Sequence, residues 1–289
     1  MENQNNLNHT EIKHESTLYA EHVYHIGHLP ITNSLLTSWI VVFIILIISL
    51  AIRLKLKQIP KGVQNFFEIM INGALSLCDQ VTGSRKISKK VFPLVFSIFL
   101  FILLNNWLGI LPLGGFGLIE TSKEGSSFIP FIRSGTADIN TTLALALMSV
   151  VGANIFGIMS IGLWKTFNKY VNLKSIFGIF KKVRKDPTVL VVSPVTFFVG
   201  VLELIGELAK VASLSFRLFG NVFAGEVLLM SMSALLAYGL PIPFLFLEIF
   251  VGAIQAFIFA ILVLVYFTIA SQDHDEHEEH HSEEKLATV

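Results

Sequence analysis

Arg217, Asn221 and Glu226 lie within SLSFRLFGNVFAGE, residues 213–226, a stretch otherwise built from apolar and small side chains. A charged side chain at bilayer depth costs about 2.5–3.5 kcal/mol on insertion scales, so each such charge demands a partner or a task. Arginine suits a fixed-charge task because its guanidinium stays protonated where a lysine could shed its proton. A permanent cation attracts an ionised carboxylate and bars a bare proton from passing. Glutamate has the opposite virtue: removed from bulk water, its carboxyl can take up and release a proton near neutral pH. Glu203, Glu207, Lys210 and Ser213 precede or open this stretch, and Glu248 and Gln255 follow it. A fixed cation flanked by titratable acids is the chemistry of a proton path. For covalent catalysis there is no candidate: the chain carries no glycine-rich phosphate loop, HExxH pattern or nucleophile elbow. No enzyme activity and no cofactor are expected.

The elements that must position these groups are membrane helices. The chain has 289 residues, 53% hydrophobic and only 15% charged, with a mean hydropathy of +0.68, outside the soluble range. Its formal net charge of zero hides segregation, with bases crowding a few loops and acids and histidines the ends, so no nucleic-acid partner is implied. The single cysteine, Cys78, cannot form an internal disulfide and reads as a buried thiol. Apolar runs of spanning length occupy Leu35–Ile52, Val91–Leu113 and Thr142–Leu163. Arg53, Lys55, Lys57 and Lys61 follow the first; Arg85, Lys86, Lys89 and Lys90 precede the second; a basic run from Lys165 to Lys185 follows the third. By the positive-inside rule all these loops face the cytoplasm, so the N-terminus lies outside. The polar first thirty residues lack the features of a cleaved signal peptide, and the first span is expected to be retained.

Between the first two spans, PKGVQNFFEIMINGALSLCDQV is broken by Gln64, Asn65, Glu68 and Asn72 and reads as an interfacial helix. Gly114 to Asn140 reads as a loop with short order at most. Val189 to Ala237 is too long for one perpendicular crossing and holds too many charges, so two long, strongly tilted helices broken near Gly220 or Gly225 are expected. Pro241 and Pro243 mark a turn before the last run, Phe244 to Ala270. The fold class is therefore an all-α polytopic membrane protein with about five crossings and an interfacial helix. Its parts are a polar segment 1–30 outside, a membrane domain 31–271 and an acidic, His-rich cytoplasmic tail 272–289.

At 100° per residue, Glu203, Glu207, Lys210, Arg217 and Asn221 fall in one sector of about 80°, with Ser213 at its edge and Glu226 on roughly the opposite side. On the last helix Glu248, Gly252, Gln255 and Phe259 share a face, and the glycine admits a close neighbour. This seam would set Gln255 opposite Arg217 and Glu248 near Glu226. Plainer readings compete: Arg217 as an internal salt bridge, Glu203 and Glu207 paired to Lys210 rather than lining water, Gln255 as a helix–helix hydrogen bond. Asn105 and Asn106, and Asp138 with Asn140, read most simply as helix caps, with a half-channel lining as the alternative. All nine histidines lie in the two ends, and HDEHEEHH reads as a solvated acidic tail rather than a metal site.

SLSFRLFGNVFAGE together with IQAFIFAILVLVYFTIA closely resembles the subunit a family of F-type ATP synthases, and IPKGVQNFFEIMI, FPLVFSIFLFILLNNWLGILP and TADINTTLALAL extend the resemblance over about Ile31 to Ser271. The resemblance implies that Arg217 matches the family's essential arginine, with Asn221, Glu226, Gln255, Lys210 and Ser213 at its other polar positions. It implies a stationary partner for a ring of c subunits, held by peripheral-stalk b subunits in a bacterial plasma membrane. Two offset half-channels would deliver protons, or Na⁺, to and from the ring carboxylates and so couple ion flow to rotation and ATP synthesis. Glu248 departs from the best-known bacterial pattern, which has histidine there, and an acid pair with Glu226 would titrate as a unit. Two other functions compete. A secondary transporter binding an anionic solute at Arg217 would show internal repeats and paired broken helices, neither of which is evident. A structural or assembly protein would use the stripe for salt bridges.

Overall fold

The computed structural model describes residues 20–26, 29–54, 62–111, 117–122, 125–162, 189–236 and 239–271. The expected clusters Lys55–Lys61 and Lys165–Lys185, most of the histidines and the tail 272–289 lie outside the described residues. Along the chain run β1 (His22–Ile26), β2 (Leu29–Thr32), α1 (Asn33–Leu54), α2 (Val63–Thr82), α3 (Arg85–Ile110), β3 (Gly117–Ser122), β4 (Gly125–Pro130), a 3₁₀ turn (Gly135–Ala137), α4 (Ile139–Ile161), α5 (Val189–Leu235) and α6 (Pro241–Ser271). Among the described residues, five helices, α1 and α3 to α6, are long and apolar enough to cross a membrane. α2 is not among them: its polar residues interrupt the apolar run, as expected of an interfacial helix.

Three expectations need correction. α5 is a single uninterrupted helix of 47 residues, with no break at Gly220 or Gly225. A glycine costs a helix only about 1 kcal/mol, and a lipid-facing backbone cannot open without stranding its N–H and C=O groups. The outer loop keeps to the short order allowed for it, a hairpin in which β3 pairs antiparallel with β4 from Gly117↔Pro130 to Ser122↔Gly125. A second hairpin joins β1 to β2 in the segment read only as polar. Two-residue alternation over such short strands is too brief to stand out from loop sequence. Pro241 and Pro243 do not form the turn but open α6, where a missing N–H costs nothing in the first turn.

The chain forms two compact units. The first comprises the described parts of Met1–Phe67, Phe96–Leu143 and Ser215–Phe259. Its core is unusually polar for a membrane protein: Asn33, Ser34, Thr37, Asn105, Asn106, Arg133, Ser134, Thr136 and Asp138 are all buried. Apolar residues such as Val41, Ile102, Leu218 and Val222 fill the space around them. The second comprises the described parts of Glu68–Val95, Ala144–Leu214 and Ala260–Val289. It packs α4 on α6: the Phe156 and Phe267 rings lie 5.5 Å apart, and a Cβ at Gly157 would come within 2.6 Å of the Ala270 carbonyl oxygen. Where α2 turns into α3, Thr82 and Ser88 share a hydrogen bond of 2.7 Å and Arg85 pairs with Asp79. Burial acts to raise the Asp79 carboxyl, but the Ser88 hydroxyl, the Arg85 guanidinium and the Lys89 charge outweigh it and hold its pKa below the ordinary value. Cys78 is buried; burial, reinforced by the Asp79 charge, pushes its thiol up.

Candidate ion-translocation site

The residues on α5 sort by face. Leu214, Ser215, Leu218, Phe219, Val222 and Gly225 are buried, whereas Ser213, Phe216, Arg217, Gly220 and Ala224 are exposed. An unbroken helix keeps the two sets on separate sides. Arg217 therefore projects on the exposed side of α5, with small neighbours along it. Asn221 sits between the two sides, and its Nδ2 is buried without a hydrogen-bond partner among the described residues. On α6, Gln255 is buried and its Nε2 is likewise unsatisfied among the described residues.

Glu226 turns the other way. Its Oε2 accepts from two Arg133 nitrogens, Nε at 3.2 Å and Nη2 at 3.0 Å, with Oε1 3.5 Å from Nε, and the arginine side chain is only 8% exposed. No motif singles out Arg133, which falls in the stretch 114–140 that reads as a loop. The available signal is one arginine held between Phe131, Ile132 and the start of a membrane helix. Its segment is tied down on several sides. The Arg133 N–H donates to Thr37 Oγ1 on α1 at 3.3 Å, and Ser134 Oγ donates to the Asn105 carbonyl at 3.1 Å. Thr136 Oγ1 donates to Asn106 Oδ1 at 2.6 Å. Asn106 Nδ2 in turn donates to the Gly252 carbonyl of α6 at 3.0 Å, and Trp107 Nε1 to that of Ile249 at 3.2 Å.

Asn106 is thus no cap but a cross-link between α3, the 3₁₀ turn and α6. Asn105 Nδ2 bonds back to the Phe101 carbonyl of its own helix at 2.9 Å. The Asp138 and Asn140 reading holds: Asp138 Oδ1 accepts the Asn140 N–H at 3.0 Å and caps α4, while Ser34 Oγ donates to Oδ2 at 3.2 Å.

Glu248 on α6 lies against Gly225 on α5 so closely that a Cβ there would overlap its carboxyl group. Glu226, Glu248, Asn106, Ser134, Ile110 and Val222 line one cleft, whose cavity of about 20 Å³ is enough for a water molecule. No described residue forms a hydrogen bond or ion pair with the Glu248 carboxyl, in contrast to Glu226. In the second unit Glu207 pairs with Lys210 at 2.6 Å and accepts from Asn154 Nδ2 at 3.3 Å. Lys210 Nζ also stands 5.3 Å from the centroid of the Tyr266 ring. The structure therefore brings Glu226 to Glu248 and Glu207 to Lys210. Glu203 sits on the same helix, one turn before Glu207 and half-buried.

A family model, ATP synthase A chain, matches residues 35–268. The chain belongs to that family. The subunit a of ATP synthase from Syntrophobacter fumaroxidans is 38% identical over 235 residues, covering 80% of each chain. That of Gloeobacter violaceus is 33% identical over 245 residues, 85% of this chain and 86% of the relative. The Mycobacterium ulcerans protein of the same name is 34% identical over 251 residues, 85% and 89%. Membership accounts for the charges at bilayer depth: this is a multi-pass membrane subunit that conducts ions and catalyses no covalent step.

Proposed function

We propose that this chain is the stationary half of the ion path of a bacterial F-type ATP synthase, set in the plasma membrane against a rotating ring of c subunits and held by peripheral-stalk b subunits. The N-terminus lies outside and the C-terminus in the cytoplasm. One observation carries the reading: Arg217 is exposed on a membrane helix, with the small residues Ser213, Gly220 and Ala224 on the same exposed side. A permanent cation so placed suits a partner that brings a carboxylate to it. Small side chains at Ser213, Gly220 and Ala224 let such a partner approach closely. The apolar part of α5, Phe198–Leu235, has 38 residues and is about 57 Å long, nearly twice the ~30 Å hydrocarbon core. A helix of that length must lie steeply tilted, which suits a long track along a ring.

A ring carboxylate facing Arg217 passes ionised and cannot carry its proton across, so protons must enter and leave by separate paths on either side. The outer path runs through the cleft of Glu226 and Glu248, with Asn221, Gln255, Asn105, Asn106, Asp138 and Asn140 on the same unit. The inner path uses Glu203, Glu207, Lys210 and Ser213. Replacing Arg217 with alanine is expected to abolish ATP-driven acidification of inverted membrane vesicles while the complex stays assembled. Normal acidification overturns the reading, loss of assembly indicates a purely structural role, and loss of anion uptake indicates a transporter.

A further inference from the structure

Two carboxyls line the outer cleft, and the structure treats them differently. Glu226 is gripped through two nitrogens of a nearly fully buried arginine, itself fixed by the backbone bond from Arg133 to Thr37 and by Ser134 and Thr136 on the asparagines of α3. Glu248 lies against a glycine with no such grip, beside space for one water. We propose that Arg133 is a positioning residue of the outer half-channel, which locks Glu226 as a fixed carboxylate and leaves Glu248 as the group that passes protons. The proposal rests on the ion-path reading above.

In the resulting step a proton from the outer water binds the Glu248 carboxylate, then leaves it for the next acceptor, an ionised ring carboxylate. Glu248 ends ionised as it began, and Glu226 neither gains nor loses a proton. Protonating Glu226 would give up its charge-assisted bonds to a buried guanidinium and leave that charge unpaired, which a group that cycles with each proton cannot do readily. The charged and titratable groups around Glu226 are Arg133 on the segment after β4, Glu248 on α6 and Glu21 just ahead of β1; Asn106 on α3 and Ser134 add neutral polar groups. Among the described residues, Arg133 is the cation that offsets this cluster of acids. Without it, Glu226 and Glu248 would compete for one proton, and release from the cleft would require a more alkaline outer face.

The test uses membranes containing the assembled complex, stripped of the soluble head, with proton conductance driven by a potassium diffusion potential and read against outer pH. Retention of the chain in the solubilised complex is measured for each variant. Arg133→Gln is expected to lower conductance by about tenfold or more and to move its half-maximal pH upward by about one unit. Arg133→Lys keeps the charge and is expected to leave that pH near the parent value. Arg133→Gln combined with Glu226→Gln replaces the ion pair by two neutral amides and is expected to conduct several-fold better than Arg133→Gln alone. An Arg133→Gln complex with parental conductance and pH profile overturns the proposal. So does a fall in conductance with no pH shift, which marks a merely structural role, or a double variant with no conductance, which marks Glu226 as the carrier. If Arg133→Gln does not assemble, the Lys and double variants decide by the same readouts. Failure here with Arg217→Ala still uncoupled removes the role of Arg133 alone; an Arg217→Ala complex that still pumps removes the ion-path reading itself.

Discussion

Replacing Glu248 with glutamine removes a titratable proton from a carboxyl that no described residue holds, while keeping its size and its place against Gly225. ATP-driven proton pumping in inverted vesicles is expected to fall by about tenfold or more, in the range lost with a general acid–base group. Unchanged pumping would remove Glu248 from the path. Residue types along SLSFRLFGNVFAGE are legible because charge inside an apolar run is costly and therefore conspicuous. Arg133 is not, because an arginine in a polar loop costs nothing until the loop is buried. Only its 8% exposure and its bond to Glu226 reveal that it is.

α5 carries two opposed glycines, and their surroundings make contrasting predictions. Gly225 is buried, and any side chain there would displace the Glu248 carboxyl. Gly225→Val is expected to reduce pumping as Glu248→Gln does and to destabilise the subunit by about 1–3 kcal/mol, the usual cost of overpacking, seen as easier extraction and faster proteolysis. Gly220 is exposed, with nothing within 4 Å of where a Cβ would stand, so Gly220→Val is expected to leave the subunit itself as stable as the parent. Its coupling should nonetheless fall, since the obstructed neighbour would be the ring. Wild-type coupling in Gly220→Val would place the ring elsewhere. The 100° periodicity already separates Glu226 from the Arg217 stripe, and the unbroken helix preserves that separation. The expectation of a break comes from charges that look too many for one helix. Pairing of Glu207 with Lys210, and of Glu226 with Arg133, relieves that cost without breaking the helix.

For the whole chain, the basic loops predict the orientation in the membrane. In a Cys78→Ala background, Ser282→Cys is expected to react with a membrane-impermeant maleimide in inverted vesicles and not in intact cells, with Ala20→Cys showing the reverse. The opposite pattern would invert both half-channel assignments. The five spans, the interfacial helix and the family are readable from the linear chain, because lipid demands long apolar helices whose ends carry diagnostic charges. Periodicity also suffices to put Arg217 and Glu226 on different faces of one helix. What remains for the tertiary structure is partnership. Whether Glu226 is bare or gripped, whether Asn106 caps its own helix or ties α3 to α6, and which side of α5 stays uncovered all depend on segments far apart in sequence. Local spacing specifies faces within a helix; contacts between distant elements are set only when those faces pack, and there Glu226 meets Arg133 while Glu248 meets Gly225.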